Sequence, residues 1–301
     1  MLTFQHRPRT AREWQSTLGI DNQCFIRLSE QFGVTYEAKR GQSINQTLSE
    51  NPNGQYFKIR AYDDFVFFIL FVLKTGLTFD QTAFIFQIDL AGAKRYFDKG
   101  LDILYYTLLT NEFLPIREFD SPKDMEVYFD NTRQIIIDGT EQRIQRPESK
   151  EKQLATYSGK KKQNTYKCLI ISTMDTYVHY ISKIYSGKQH DFSIIKQEFN
   201  PEEDWFSEFE VRLDLGYLGF DKEYPKSIPY LPSKNYKKKP LTEQQKETNR
   251  QLASQRIKVE HSIAGIKRYE MVSAQSRLKD ENLYDKIVAV TAGLWNFYIT
   301  R

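Results

Sequence analysis

The chain has 301 residues, 43 Lys and Arg against 39 Asp and Glu, and an apolar fraction of 40%, which places it among ordinary globular proteins long enough for about two domains. Its two cysteines, Cys24 and Cys168, form no CxxC pair and point to neither a zinc site nor a disulfide framework. The longest apolar run, Phe65 to Leu73, is too short to span a bilayer, and MLTFQHRPRT lacks the apolar stretch of a secretory signal. The expectation is a cytoplasmic protein with no membrane association.

Residues 1–55 are polar and mixed and end in the turn-rich SENPNGQ, which reads as a linker. AYDDFVFFILFVLK, from Ala61 to Lys74, has helical length, acids in its first turn and Gly76 as a stop. TFDQTAFIFQ follows with Thr78 as N-cap, and IDLAGAKRYFDKGLDILYYTLL comes after a short turn. Three helices in this order, the last two joined tightly, read as an all-α, helix-turn-helix-like DNA-binding domain over 56–120, with Lys94 and Arg95 as contacts. Residues 1–120 hold 13 basic against 14 acidic residues, so an architectural or dimerising role stays open for this region.

After Pro122 the pattern changes. Strands are predicted at 133–138, 165–173 and 177–185, a helix at 191–198, a strand at 210–214, and a long helix from Thr242 to about Tyr269, with a final helix containing Tyr284, Trp295 and Phe297. This mixture predicts an α/β domain over 121–301 with a mixed sheet flanked by helices.

Three acids stand out: Asp138 at the end of the apolar run RQIIID, Asp214 at the end of VRLD, and Glu260 in the long helix. Taken alone, an Asp at a strand end is a turn former. Together, three carboxylates held on regular elements suit hard divalent cations, which prefer oxygen ligands. Charge distribution points the same way. Windows 143–167 and 234–258 each hold eight Lys/Arg against two Glu, whereas the chain as a whole is only +4. Lys160, Lys161 and Lys162 in the first window, and Lys237, Lys238 and Lys239 in the second, are candidate contacts to a polyanionic backbone. Asp191 is expected to cap the helix at 191–198. Tyr217, Gly216 and Gly219 are expected to shape the turn that exposes Asp214.

DGTEQRIQRP with YSGKKKQNTYK, then GKQHDFSI, DLGYLG, and LPSKNYKKKPLTEQQKETNRQLASQRIKVEHSIAGIKRY together resemble the motif blocks of DDE transposases of the bacterial insertion-sequence type, close to the group related to PIF/Harbinger elements. The resemblance implies a ribonuclease H-like fold for 121–301, with Asp138, Asp214 and Glu260 as catalytic residues holding two Mg2+ or Mn2+ ions. It implies nicking of the element's ends and joining of the 3′-hydroxyls to target DNA. The partners would be double-stranded DNA, both terminal inverted repeats and target, bound by a homodimer at the nucleoid. Arg256 and Lys267 match the Arg and Lys that flank the last acid in the related signature, as DNA contacts, whereas its Tyr is replaced by Ala253. His190 is placed beside the acids without touching the ions. Two other readings stay open, a DNA-binding regulator retaining the fold and a purely hydrolytic metal-dependent nuclease.

Overall fold

The computed structural model describes residues 7–50, 58–130, 132–236 and 240–300. In chain order the helices are α1 (Ala11–Leu18), α2 (Asn22–Arg40), α3 (Ile44–Glu50), α4 (Tyr62–Thr75), α5 (Phe79–Phe86), α6 (Leu90–Thr110), α7 (Pro122–Phe129), α8 (Lys150–Thr156), α9 (Asp191–Glu198), α10 (Phe220–Glu223), α11 (Glu243–Ile266), α12 (Glu270–Ser273) and α13 (Glu281–Ile299). The strands are β1 (Gln134–Arg143), β2 (Tyr157–Ser158), β3 (Gln163–Ser172), β4 (Val178–Ile181), β5 (Tyr185–Ser186), β6 (Glu210–Arg212) and β7 (Ile228–Tyr230). They form two compact units. One comprises Met1–Leu114, Ile266–Ser276 and Asn282–Arg301; the other comprises Pro115–Gly265 and Arg277–Glu281.

The first unit is helical. Thr10 and Glu13 form a capping box at the start of α1, Asp21 caps α2, and Gly19 and Gly41 end these helices in the left-handed conformation. The polar segment up to residue 50 is therefore largely helical where it is described: Phe25, Leu28, Phe32 and Tyr36 recur at helical spacing and are buried. α4 is buried from Phe65 to Leu73 and stops at Gly76, and Thr78 caps α5 through a box with Gln81. α5 and α6 are separated only by Gln87–Asp89. α13, expected with the second domain, packs most of its length into this unit; Gly293 leaves room for Leu108 of α6. The reason is the breadth of its apolar surface, with Ile287, Val288, Val290, Leu294 and Phe297 all fully buried.

The second unit is a mixed α/β assembly. Its main path runs β2-β3-β1-β6-β7, and β4 and β5 also pair with β3. β1 and β4 lie antiparallel to β3, whereas β6 is parallel to β1 and β7 parallel to β6. Strand alternation divides β1 into two faces. Ile135 and Ile137 join Leu169, Ile171, Val211 and Leu213 in a core closed by Ile194 and Ile195 of α9 and by Phe220 and Tyr224 of and after α10. Ile136 and Asp138 point to the other face. α7 and α8 were not expected from sequence; each starts at a serine cap, Ser121 and Ser149, and α8 lies inside the first basic window. Among the described residues, no helix is long and apolar enough to cross a membrane.

Candidate active site

β1 and β6 place the first two acids. The parallel register pairs Ile136 with Arg212, the last paired residues of that ladder, and Asp138 and Asp214 each lie two residues further on. Neighbouring strands are about 4.8 Å apart, so two side chains at matched positions on one face come together without any loop closing over them. Each carboxylate is steadied by its own turn. Asp138 Oδ1 accepts from the Gly139 amide at 2.8 Å, and Asp214 Oδ1 accepts from the Gly216 amide at 2.7 Å. A Cβ at Gly216 would stand 2.8 Å from that same oxygen, so a larger residue there would displace the carboxylate.

The consequence is a carboxyl group held in an unfavourable place for a charge. Burial first, then the nearby Asp214 and Asp191, raise Asp138 to about 6 from 3.8, against the opposing pull of Arg256 and the Gly139 amide. Its side chain is 17% exposed. Burial together with neighbouring carboxylates makes Asp138 a group whose charge an added cation would favour.

α11 brings the third element. Gln255 Oε1 accepts from Arg212 Nε at 2.6 Å, which ties the helix to β6, and Ser262 Oγ donates to the Thr176 carbonyl at 2.8 Å, which ties it to the β3–β4 turn. Between these anchors Arg256 reaches Asp138, with 3.6 Å between its terminal nitrogen and Oδ2. Glu260 is exposed, one helical turn beyond Arg256. Among the described residues, no group of three His, Cys, Asp or Glu side chains is close enough to hold a metal ion. The structure thus draws Asp138, Asp214 and Arg256 together and leaves Glu260 on the neighbouring turn of the same helix.

The other sequence candidates fall as follows. α11 ends at Ile266, not near Tyr269, so Lys267 lies in the turn before α12 and not on the helix with Arg256 and Glu260. The chain breaks the helix there to bury Tyr269 completely. Lys160, Lys161 and Lys162 are exposed in the turn between β2 and β3, and Lys94 and Arg95 are exposed in the second turn of α6. Lys237, Lys238 and Lys239 lie outside the described residues. His190 is exposed and stands at the N-cap of α9 without a side-chain cap bond.

Asp191 corrects the expectation of a helix cap. It is the first residue of α9, and its carboxylate accepts from Lys167 Nζ at 3.0 Å. It rests against Gly139, where a Cβ would stand 2.9 Å from its Cγ. Only a glycine directly after Asp138 lets it approach. The sequence signal was the Asp-Gly pair at 138–139, legible as a turn and not as a seat for a carboxylate 52 positions away.

Two strand-end carboxylates beside a helix-borne arginine thus form one charged cluster of the sheet unit. The family of DDE superfamily endonucleases matches residues 137–296, more than half of the chain, and the chain belongs to that family. A curated relative, the probable transposase for insertion sequence element IS702 from Microchaete diplosiphon, is 29% identical over 192 residues. That alignment covers 63% of this chain and 66% of the relative, just under two thirds of its length. No solved structure matches.

Proposed function

We propose that the chain is a transposase that nicks the ends of its insertion element and joins the freed 3′-hydroxyls to target DNA by phosphoryl transfer. The observation that carries this reading is the placement of Asp138 and Asp214 at matched positions on adjacent parallel strands, with Arg256 of α11 against the first. An antiparallel β4-β3-β1 set followed by two parallel strands, β6 and β7, supports a ribonuclease H-like sheet.

The donor set fits Mg2+ or Mn2+. Asp138, Asp214 and, from α11, Glu260 offer only hard oxygen ligands, and the first two each keep one oxygen clear of their own turn's amide bond. When bound, a pair of such ions supplies Lewis-acid stabilisation to the attacking and leaving oxygens of an in-line displacement. The chain's own contribution is positional. β1 and β6 set the spacing of the acids, the Arg212–Gln255 bond fixes α11 against β6, and Arg256 offsets negative charge beside Asp138. Lys160, Lys161, Lys162, Lys237, Lys238 and Lys239 would hold the phosphate backbone, and α4 to α6 with Lys94 and Arg95 would read the terminal inverted repeats as a helix-turn-helix domain. Arg256 and Lys267 would add DNA contacts near the acids, and His190 would stand nearby without touching the ions. The working form would be a homodimer on paired ends at the cytoplasmic nucleoid.

The test is Mg2+-dependent nicking of duplex DNA carrying the element's terminal repeats. Asp138→Asn is expected to reduce it by on the order of 1,000-fold or more while shift assays still detect bound DNA. Equal nicking by the variant overturns the assignment. The exposure of Glu260 favours one second reading, a DNA-binding regulator, which predicts tight binding and no strand cleavage by the wild-type chain.

A further inference from the structure

Tyr217 closes the short 3-10 turn Leu215–Tyr217 that Asp214 caps. Its backbone amide donates to the Asp214 carbonyl at 3.2 Å, so the ring's burial and the acid's presentation belong to one turn. The side chain is 0% exposed, packed in the core beneath the sheet with Phe192, ring centroids 6.3 Å apart. Among the described residues its hydroxyl has no hydrogen-bond partner. Buried tyrosine hydroxyls are nearly always bonded, because an unmade bond leaves the desolvation of the group uncompensated. This one therefore needs a reason.

The charged groups that face it are Asp191, Asp138, Asp214 and Arg256, which come from the start of α9, the end of β1, the residue after β6 and α11. A phenol hydroxyl carries its proton at neutral pH, so it can donate a hydrogen bond to a carboxylate. The carboxylate first among these neighbours is turned elsewhere. Lys167, 8% exposed, donates to Asp191 Oδ1 at 3.0 Å and to the Gln189 carbonyl at 2.8 Å, and Gly139 gives Asp191 its seat. Asp138 and Asp214 each spend one oxygen on their own turn's amide. A donor thus stands among three acids and is bonded to none of them.

We infer that Tyr217 is a positioning residue for the acid cluster, its hydroxyl held in reserve to bond a carboxylate oxygen of Asp138 or Asp214 when these acids turn to bind a divalent cation. The inference rests on the two-ion reading above and adds a residue to it. Carboxylates that hold a metal are themselves held by hydrogen bonds, and loss of such a partner weakens metal binding by about 10- to 100-fold. Tyr217→Phe keeps the ring that fills the core and removes only the donor.

Two measurements on the DNA-free protein test this. The metal-free melting temperature of Tyr217→Phe is expected to equal or exceed that of wild type, since the variant sheds a buried, unbonded hydroxyl. Its affinity for Mn2+, followed by calorimetry, is expected to fall by about tenfold or more. A melting temperature several degrees below wild type would mean that the hydroxyl is already bonded in the free protein, and would overturn the inference. Wild-type-like Mn2+ affinity in the variant overturns it alone, whereas a wild-type chain that takes up no Mn2+ overturns the two-ion reading along with it.

Discussion

The interiors of the two units solve different problems. The helical unit buries rings: Trp14 against Phe25, Phe68 against Phe86, Phe79 against Phe97, with ring centroids between 4.9 and 5.5 Å. Its buried polar residues, among them Ser29, Thr35, Thr82, Thr107, Thr291 and Asn296, are all uncharged. The sheet unit buries Lys167 and Arg212 as well, and keeps Asp138 half-buried beside them. Burying a charge is unfavourable unless it is paired and bonded, and here the pairs are made, Lys167 with Asp191 and Arg212 with Glu210 and Gln255. The lesson is that buried charge makes the sheet unit's interior depend on particular ion pairs and hydrogen bonds, whereas an interior of rings, aliphatic chains and uncharged polar groups depends mainly on close packing.

This contrast can be broken by substitutions in either interior. The largest expected effect is in the helical unit. Phe97 is fully buried, and Phe97→Ala should lower stability by about 3–5 kcal/mol in chemical denaturation, with a loss below about 1 kcal/mol counting against a close-packed core. The sheet unit should respond to pH instead. His179 bonds Thr173 and Tyr128 and is lowered from 6.5 to about 4, by burial and against the pull of Asp175. A lowered histidine binds its proton more readily unfolded than folded, so its contribution is fully present above about 6.5 and is lost as pH falls towards 4. The loss is on the order of 3 kcal/mol. His179→Gln should flatten that part of the stability profile, read as the wild-type minus variant difference in melting between pH 4 and 7; an unchanged slope would contradict the buried neutral ring. The smallest effect is local. Thr78→Ala removes one half of the capping box of α5 and should reduce stability by about 1 kcal/mol, with no change in pH response.

Much of the architecture was legible along the chain because it depends on neighbours in sequence. α9 spans the residues expected of it, α4 stops at the glycine that was expected to stop it, and Thr78 caps α5. What escaped has identifiable causes. α1 and α2 are dilute in apolar residues, so their caps, Thr10 with Glu13 and Asp21, were stronger signals than their composition. α8 is a highly charged segment that reads as a basic loop until the Ser149 cap is noticed. α11 lost its last turn because burying Tyr269 prevailed over helical continuity.

For the site the division is sharper. Sequence by itself determined that Asp138 and Asp214 end apolar runs and that Arg256 and Glu260 share a helix one turn apart, since strand alternation and helical periodicity are local properties. Only the tertiary structure decided that Ile136 pairs with Arg212 and so aligns the two acids, that Arg256 reaches Asp138, and that Asp191 sits over Gly139 while Tyr217 turns an unbonded hydroxyl among them. The first three of those meetings join residues from 52 to 118 positions apart. They depend on strand register and on the space a missing side chain leaves, which no local pattern encodes.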